Sequence, residues 1–113
     1  MVTLKRGDVL RIDFEPVIGC EQGGVRPALV VQNDVGNRYS RTTIVAAITT
    51  KAPSRAFPFM VELPEGTLPR SSFVDCAQIR TIDLSRVTAQ PMAHVDRVTM
   101  LRVDDALAAS FGL

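Results

Sequence analysis

In the stretch GCEQGGVRPALVVQND, Gly19 to Asp34, one arginine stands between a glycine-rich segment and a hydrophobic run. Arg26 is followed at once by Pro27. A guanidinium keeps its charge in proteins and presents a planar fork of donors, the geometry that grips phosphate or carboxylate oxygens. Two readings fit: a solvated loop cation, or a cation held at the rim of a groove for an anion. Glu21 is the only carboxylate between Gly19 and Arg26, beside Cys20, Gln22, Gly23 and Gly24. Other reactive side chains are sparse. Cys20 and Cys76 lie in unrelated contexts, with no neighbouring cysteine or histidine to complete a zinc set. The sole histidine, His94, is remote in sequence from the arginine loop and reads as a helix-cap or surface residue. No metal and no cofactor are expected.

The formal charge of +1 makes no global case for a polyanionic partner, but its distribution is uneven. Residues 1–56 hold eight Lys/Arg against five Asp/Glu, whereas residues 57–113 hold five against seven. Between Asp34 and Glu62 there is no acid, while Arg38, Arg41, Lys51 and Arg55 all occur. That segment reads as an anion-facing patch or as a solvated basic edge.

These residues need a scaffold. With 113 residues, 46% of them apolar, one domain spanning 1–113 is expected to fold without disulfides. No apolar run reaches the roughly 20 residues needed to cross a bilayer, and the N-terminus lacks a signal-peptide core, so the expected location is cytoplasmic. DVLRIDF (8–14) nearly alternates and predicts a strand. RPALVVQN (26–33) predicts a strand covered on both faces, with Pro27 confined to its start or to an edge. TTIVAAITT (42–50) predicts a central strand, and FMVEL (59–63) and SFVDCAQI (72–79) two more. QIRTIDLSRV (78–87) predicts a strand end, a turn and a short strand. Asn33, Asp34, Asn37 and Ser40 predict turns. In the tail, Val98, Leu101, Ala108 and Phe111 with Leu107 nearby predict one face of an amphipathic helix stopped by Gly112. Short strands and one helix imply a mainly β fold, a compact antiparallel barrel closed on one side by a C-terminal α-helix.

The blocks Arg6–Phe14, Pro16, Gly19–Asp34, Ile44–Thr50 and Gln78–Asp83 closely resemble the MazF/PemK-like family of toxin–antitoxin ribonucleases. The similarity runs from about Lys5 to Arg86 and weakens in the tail. The resemblance implies a small SH3-like β-barrel that forms a homodimer, cleaves single-stranded RNA (mRNA) at short sequences without metal, and is neutralised by a cognate antitoxin. It assigns the catalytic arginine to Arg26 and the catalytic threonine to Thr49, and implies substrate contacts at Cys20, Glu21, Gln22, Gly23, Gly24 and Gln78. Cys20 departs from the serine expected in many relatives, and a thiol is the poorer hydrogen-bond group.

Such cleavage makes the neighbouring 2′-hydroxyl attack the phosphate, leaving a 2′,3′-cyclic phosphate and a 5′-hydroxyl. A guanidinium suits the growing phosphoryl charge better than an ammonium. Glycines at 23 and 24 let backbone approach the substrate, and Thr49 offers a short hydroxyl. Arginine is a poor base because it stays protonated; Glu21 could serve, or could hold its loop by hydrogen bonds to backbone amides. Gln78 and Arg80 could order the groove or sit at a dimer contact. Tyr39, Phe57 and Phe59 could stack on bases, although core packing is the simpler fate of the two phenylalanines. A non-enzymatic, gyrase-binding toxin on the same fold is the alternative. Its relatives end in an aromatic, a glycine and an aliphatic, as this chain does with FGL, but Phe111 also fits the predicted helix stripe.

Overall fold

The structure, a computed structural model, describes residues 3–14, 24–87 and 89–113. Six strands form one antiparallel sheet: β1 (Asp8–Asp13), β2 (Val25–Val30), β3 (Thr42–Thr49), β4 (Met60–Glu62), β5 (Phe73–Asp83) and β6 (Ala93–His94). Their spatial order is β4-β5-β3-β2-β1-β6. The sheet curls, and a bridge from Ile12 of β1 to Val87, just past β5, links distant parts of it. Among the described residues two α-helices, α1 (Asp34–Tyr39) and α2 (Arg97–Phe111), and a 3-10 turn at Leu84–Arg86 accompany the sheet. The expected mainly β architecture with a C-terminal helix is what the chain adopts.

Alternation along the strands feeds two cores, one on each face. Val9, Leu29, Ala46, Ile48 and Val74 pack with Met100, Val103 and Ala106 of α2. Leu10, Ile12, Ala28, Val30 and Val45 point the other way, into the curl, where Leu4, Phe14 and Ile82 join them. Burying one such valine, leucine or isoleucine contributes about 1.5–3 kcal/mol. The half-exposed Arg6–Asp104 ion pair, at 2.7 Å, is of a kind that contributes about 1 kcal/mol or less. Stability therefore comes from the two cores. Arg6 does more as a tie: its Nε donates to Val31 O at 2.8 Å and its backbone N–H to the Asp34 carboxylate at 2.7 Å.

Three sequence expectations need correction. The tail helix forms, and Gly112 ends it in a left-handed conformation at φ 73°, but it buries a different stripe. Thr99, Met100, Val103 and Ala106 face inward, whereas Val98, Leu101 and Phe111 are exposed. Both stripes have helical spacing, and only the cavity offered by the sheet chooses between them. The cap is Asp96, whose carboxylate accepts from the Thr99 hydroxyl and backbone N–H and is held below the usual carboxylate range by those bonds. Next, the strands predicted at 72–79 and within 78–87 are one strand, β5, of 11 residues. Its register against β3 jumps from Ala46↔Ile79 to Ala47↔Asp75, so Cys76–Gln78 form a bulge. Finally, the turns expected around 33–40 are organised as α1, capped by Asn33.

No side chain of α1 is buried; polar bonds hold it instead. Asn37 donates to Gln32 O and accepts from the Gln32 amide and, at 2.7 Å, from the Thr43 hydroxyl. Gln32 also donates to Thr42 O. A Cβ on Gly36 would lie 2.9 Å from Gln32 Cδ, so a larger residue there would push the Gln32 side chain from this position.

Candidate active site

The β2–β3 pairing runs Val30↔Val45, Leu29↔Ala46, Ala28↔Ala47 and then stops. Pro27 lies just beyond it and has no N–H to give a ladder. It nevertheless sits inside β2, paired with Arg11 of β1, so its placement at a strand start needs qualifying: it marks where the ladder to β3 begins. Continuing that register two residues sets Arg26 across from Thr49. By strand alternation both share the face of Ala28 and Val45, at the rim of the core inside the curl. Arg26 is exposed and Thr49 half-buried. The Thr49 Oγ1 accepts from the Lys51 backbone N–H at 3.1 Å, which fixes the hydroxyl oxygen and leaves its hydrogen to donate.

Phe14 and Gly24, the described residues on either side of 15–23, are tied together. Phe14 N–H donates to Gly24 O at 3.0 Å. Arg80 of β5 lies over the Phe14 ring at 5.5 Å, and its Nη1 donates to Phe14 O at 3.3 Å. Arg86 Nη1 donates to Asp13 O at 3.0 Å. The two Arg80 contacts tie β5 to Phe14, just past the end of β1. Gly24 has φ +80°, a backbone conformation that side-chain-bearing residues seldom adopt. Cys20, Glu21, Gln22 and Gly23 lie outside the described residues.

Gln78 is exposed on the β5 bulge, whose turn is held by the Asp75 carboxylate accepting from Ala77 N–H at 3.0 Å. Asp75 went unnoticed in the sequence; no motif betrays a bulge, only the mismatch of strand lengths does. Beyond Thr49, Lys51 and Arg55 are exposed, and Arg55 lies over the Phe57 ring at 5.7 Å. Phe57 stacks on Phe59, which packs against the α2-side core, so core packing is what Phe59 does.

Two expected features separate from this end. The basic stretch is not one patch: Arg38 and Arg41 precede β3 while Lys51 and Arg55 follow it, and seven steps at about 3.3 Å put roughly 23 Å between the strand's ends. His94 pairs in register with Asp8, its Nδ1 2.8 Å from the Asp8 carboxylate. Asp8 is four residues along β1 from Ile12, the partner of Arg26, roughly 13 Å at the same rise. His94 is thus a sheet-edge residue, neither helix cap nor neighbour of Arg26.

Cys76 is fully buried, and burial first, then the charge of Asp75, pushes its thiol up from 9.0 to about 12. Mass mapping after iodoacetamide treatment at pH 8 is expected to leave Cys76 unmodified in the native protein and modified in denaturant. The folded state keeps this proton up to about pH 12, whereas the unfolded chain releases it near 9.0, so stability declines as pH rises between those values.

Comparison with known proteins adds the following. The family model of PemK-like, MazF-like toxins of type II toxin–antitoxin systems matches residues 5–111. Endoribonuclease EndoA of Bacillus subtilis (strain 168) is 48% identical over 112 residues, covering 97% of this chain and 96% of the relative. The crystal structure of MazF (Form-I) from Deinococcus radiodurans superposes with a TM-score of 0.85 at 26% identity, over 100% of both chains. An endoribonuclease in complex with its cognate antitoxin, from Mycobacterial species, superposes with a TM-score of 0.82 at 26% identity, covering 97% of this chain and 96% of that one.

Proposed function

Since this chain belongs to the PemK-like, MazF-like toxins of type II toxin–antitoxin systems, we propose that it is a sequence-specific endoribonuclease acting on single-stranded RNA. Its substrate is mRNA in the cytoplasm, and its effect is to arrest translation and growth. It works as a homodimer and is held inactive by a cognate antitoxin. The single observation that carries this reading is the near-full-length similarity to the Bacillus endoribonuclease. The roles given to Arg26 and Thr49 are supported by the β2–β3 register, which ends at Ala28↔Ala47 and, extended by two residues, would set the cation opposite the hydroxyl at one rim of the curled sheet.

The reaction breaks the P–O5′ bond. The 2′-hydroxyl loses its proton to a base and attacks phosphorus, and the 5′-oxygen leaves and takes up a proton. Negative charge accumulates on the phosphoryl oxygens, where the Arg26 guanidinium stabilises it and the Thr49 hydroxyl donates a hydrogen bond. Glu21 is the carboxylate of the motif loop and the candidate base. Gly24, at its positive φ, lets the backbone turn toward the substrate, and Gln78 on its bulge contacts a base with its amide. Lys51 and Arg55 hold flanking phosphates, and an acidic antitoxin tail competes with RNA for them.

A second reading, a non-enzymatic toxin that binds gyrase, gains one observation. Phe111 is 63% and Leu113 is 93% exposed, so the terminal FGL is not absorbed by the helix's buried stripe. One experiment separates the two. Purified protein incubated with a long RNA in excess EDTA is expected to cleave it fully and to leave 5′-hydroxyl ends. A need for Mg²⁺ with 5′-phosphate ends would overturn the mechanism, and intact RNA under all conditions would favour the gyrase-binding reading.

A further inference from the structure

At the end of β3 away from Thr49 lies a groove of about 600 Å³ between the segment before β1 and α1. Lys5, Arg38, Tyr39 and Arg41 line it, together with Asp34 and Leu84. All three cations are exposed. Tyr39 is 78% exposed, and the Arg38 guanidinium sits over its ring at 5.5 Å. The carboxylate of Asp34 is already engaged by the Arg6 backbone N–H at 2.7 Å and approached by the Asn37 amide at 3.5 Å. Asp83, near Arg41, accepts from the Ser85 backbone N–H at 2.8 Å.

α1 returns nothing to the core, since none of its side chains is buried. Yet a dedicated set of bonds through Gln32, Asn37 and Thr43, and a glycine without which Gln32 would clash, fix its position. What it gains from this rigidity is a fixed presentation of Arg38 and Tyr39 beside Lys5 and Arg41. An exposed ring with cations around it matches the repeating chemistry of a single-stranded nucleic acid: a base to stack and phosphates on either side. An acidic peptide would use the cations but has no need of the ring.

We propose that this groove is a second RNA-docking site, remote from the cleavage site, which holds single-stranded sequence flanking the cut. It rests on the ribonuclease reading above. RNA long enough to reach both ends of β3 binds with help from Tyr39 stacking and from the phosphate contacts of Lys5, Arg38 and Arg41. A short oligonucleotide covering only the cleaved bond and its near neighbours does not feel the groove.

The test compares a transcript with such an oligonucleotide, its sequence chosen from the wild-type cleavage map. The proteins are wild type, Tyr39→Ala, Tyr39→Phe and the double variant Arg38→Ser/Arg41→Ser, each checked for folding by its melting curve. Tyr39→Ala and the double variant are expected to raise KM for the transcript about tenfold, the scale of one lost stacked base. Their kcat on it, and both constants on the oligonucleotide, are expected to stay unchanged. Tyr39→Phe, which keeps the stacking face, is expected to behave as wild type. Equal constants for all four proteins on the transcript would overturn the proposal, as would equal losses on both substrates. Weakened binding of the antitoxin with RNA kinetics untouched would reassign the groove to a protein. Wild type that cleaves neither substrate would instead remove the ribonuclease reading itself.

Discussion

Arg26→Ala is expected to lower the rate of RNA cleavage by about 100- to 1000-fold, the usual loss when one transition-state donor is removed. The expected loss is electrostatic in origin. In the proposed mechanism charge develops on the phosphoryl oxygens only as the 2′-oxygen attacks, so the Arg26 guanidinium would act more strongly on the transition state than on bound RNA. The loss should therefore appear in kcat, with KM changed far less. Arg26→Lys is the sharper variant. It keeps the positive charge but replaces a planar fork with a single ammonium, and it is expected to remain poor. Single-turnover cleavage of a labelled oligonucleotide measures both. Near-wild-type cleavage by Arg26→Lys would mean that the residue only attracts RNA. A loss confined to KM in Arg26→Ala would mean the same.

How far the sequence reveals this site depends on which physical signal each residue leaves. Pro27 left a clear one. A proline within a hydrophobic run limits ladder formation, and the β2–β3 pairing indeed begins right after it. Arg26, placed between that proline and the glycines, was legible as a cation at the end of a strand. The β-branched run 42–50 was equally legible, because a central strand buried on alternating faces needs that composition. The β5 bulge was not. It arises where an 11-residue strand must satisfy β3 and β4 at once, and Cys76, Ala77 and Gln78 carry no local mark of it.

The helix face was illegible for a related reason. Val98, Leu101 and Phe111 have the spacing of a buried stripe as good as that of Met100, Val103 and Ala106. Periodicity says that a helix can be amphipathic, and the partner surface says which way it turns. Arg6 and Asn37 show a third limit. Arg6 lies in a block read for its resemblance and Asn37 in a predicted turn, yet Arg6 reaches Asp104 across the chain, and Asn37 ties α1 to the start of β3. Such ties depend on topology, which composition does not encode. The same applies to the basic stretch from Arg38 to Arg55, continuous in sequence and divided by the length of β3.

The second large effect is expected at Thr49. Its hydroxyl oxygen accepts from the Lys51 N–H, so one lone pair is occupied and the O–H remains free to donate. In the proposed mechanism, removing the hydroxyl takes away one hydrogen bond to a phosphoryl oxygen that is strongest when that oxygen carries the transition-state charge, so kcat is expected to fall about 100-fold or more. Thr49→Ala and Thr49→Val should fall together, although valine keeps the β-branched shape that suits the end of β3. Thr49→Ser, which keeps donor and acceptor, should retain most of the activity. The contrast between valine and serine is what identifies the hydroxyl rather than the packing. Loss of the Lys51 contact leaves an exposed backbone N–H that water can satisfy, so the alanine variant should melt close to wild type. The measurements are kcat on a labelled oligonucleotide and a thermal melt for each variant. Valine as active as threonine would remove the donor role, and a collapsed melting temperature in the alanine variant would assign Thr49 to the fold instead.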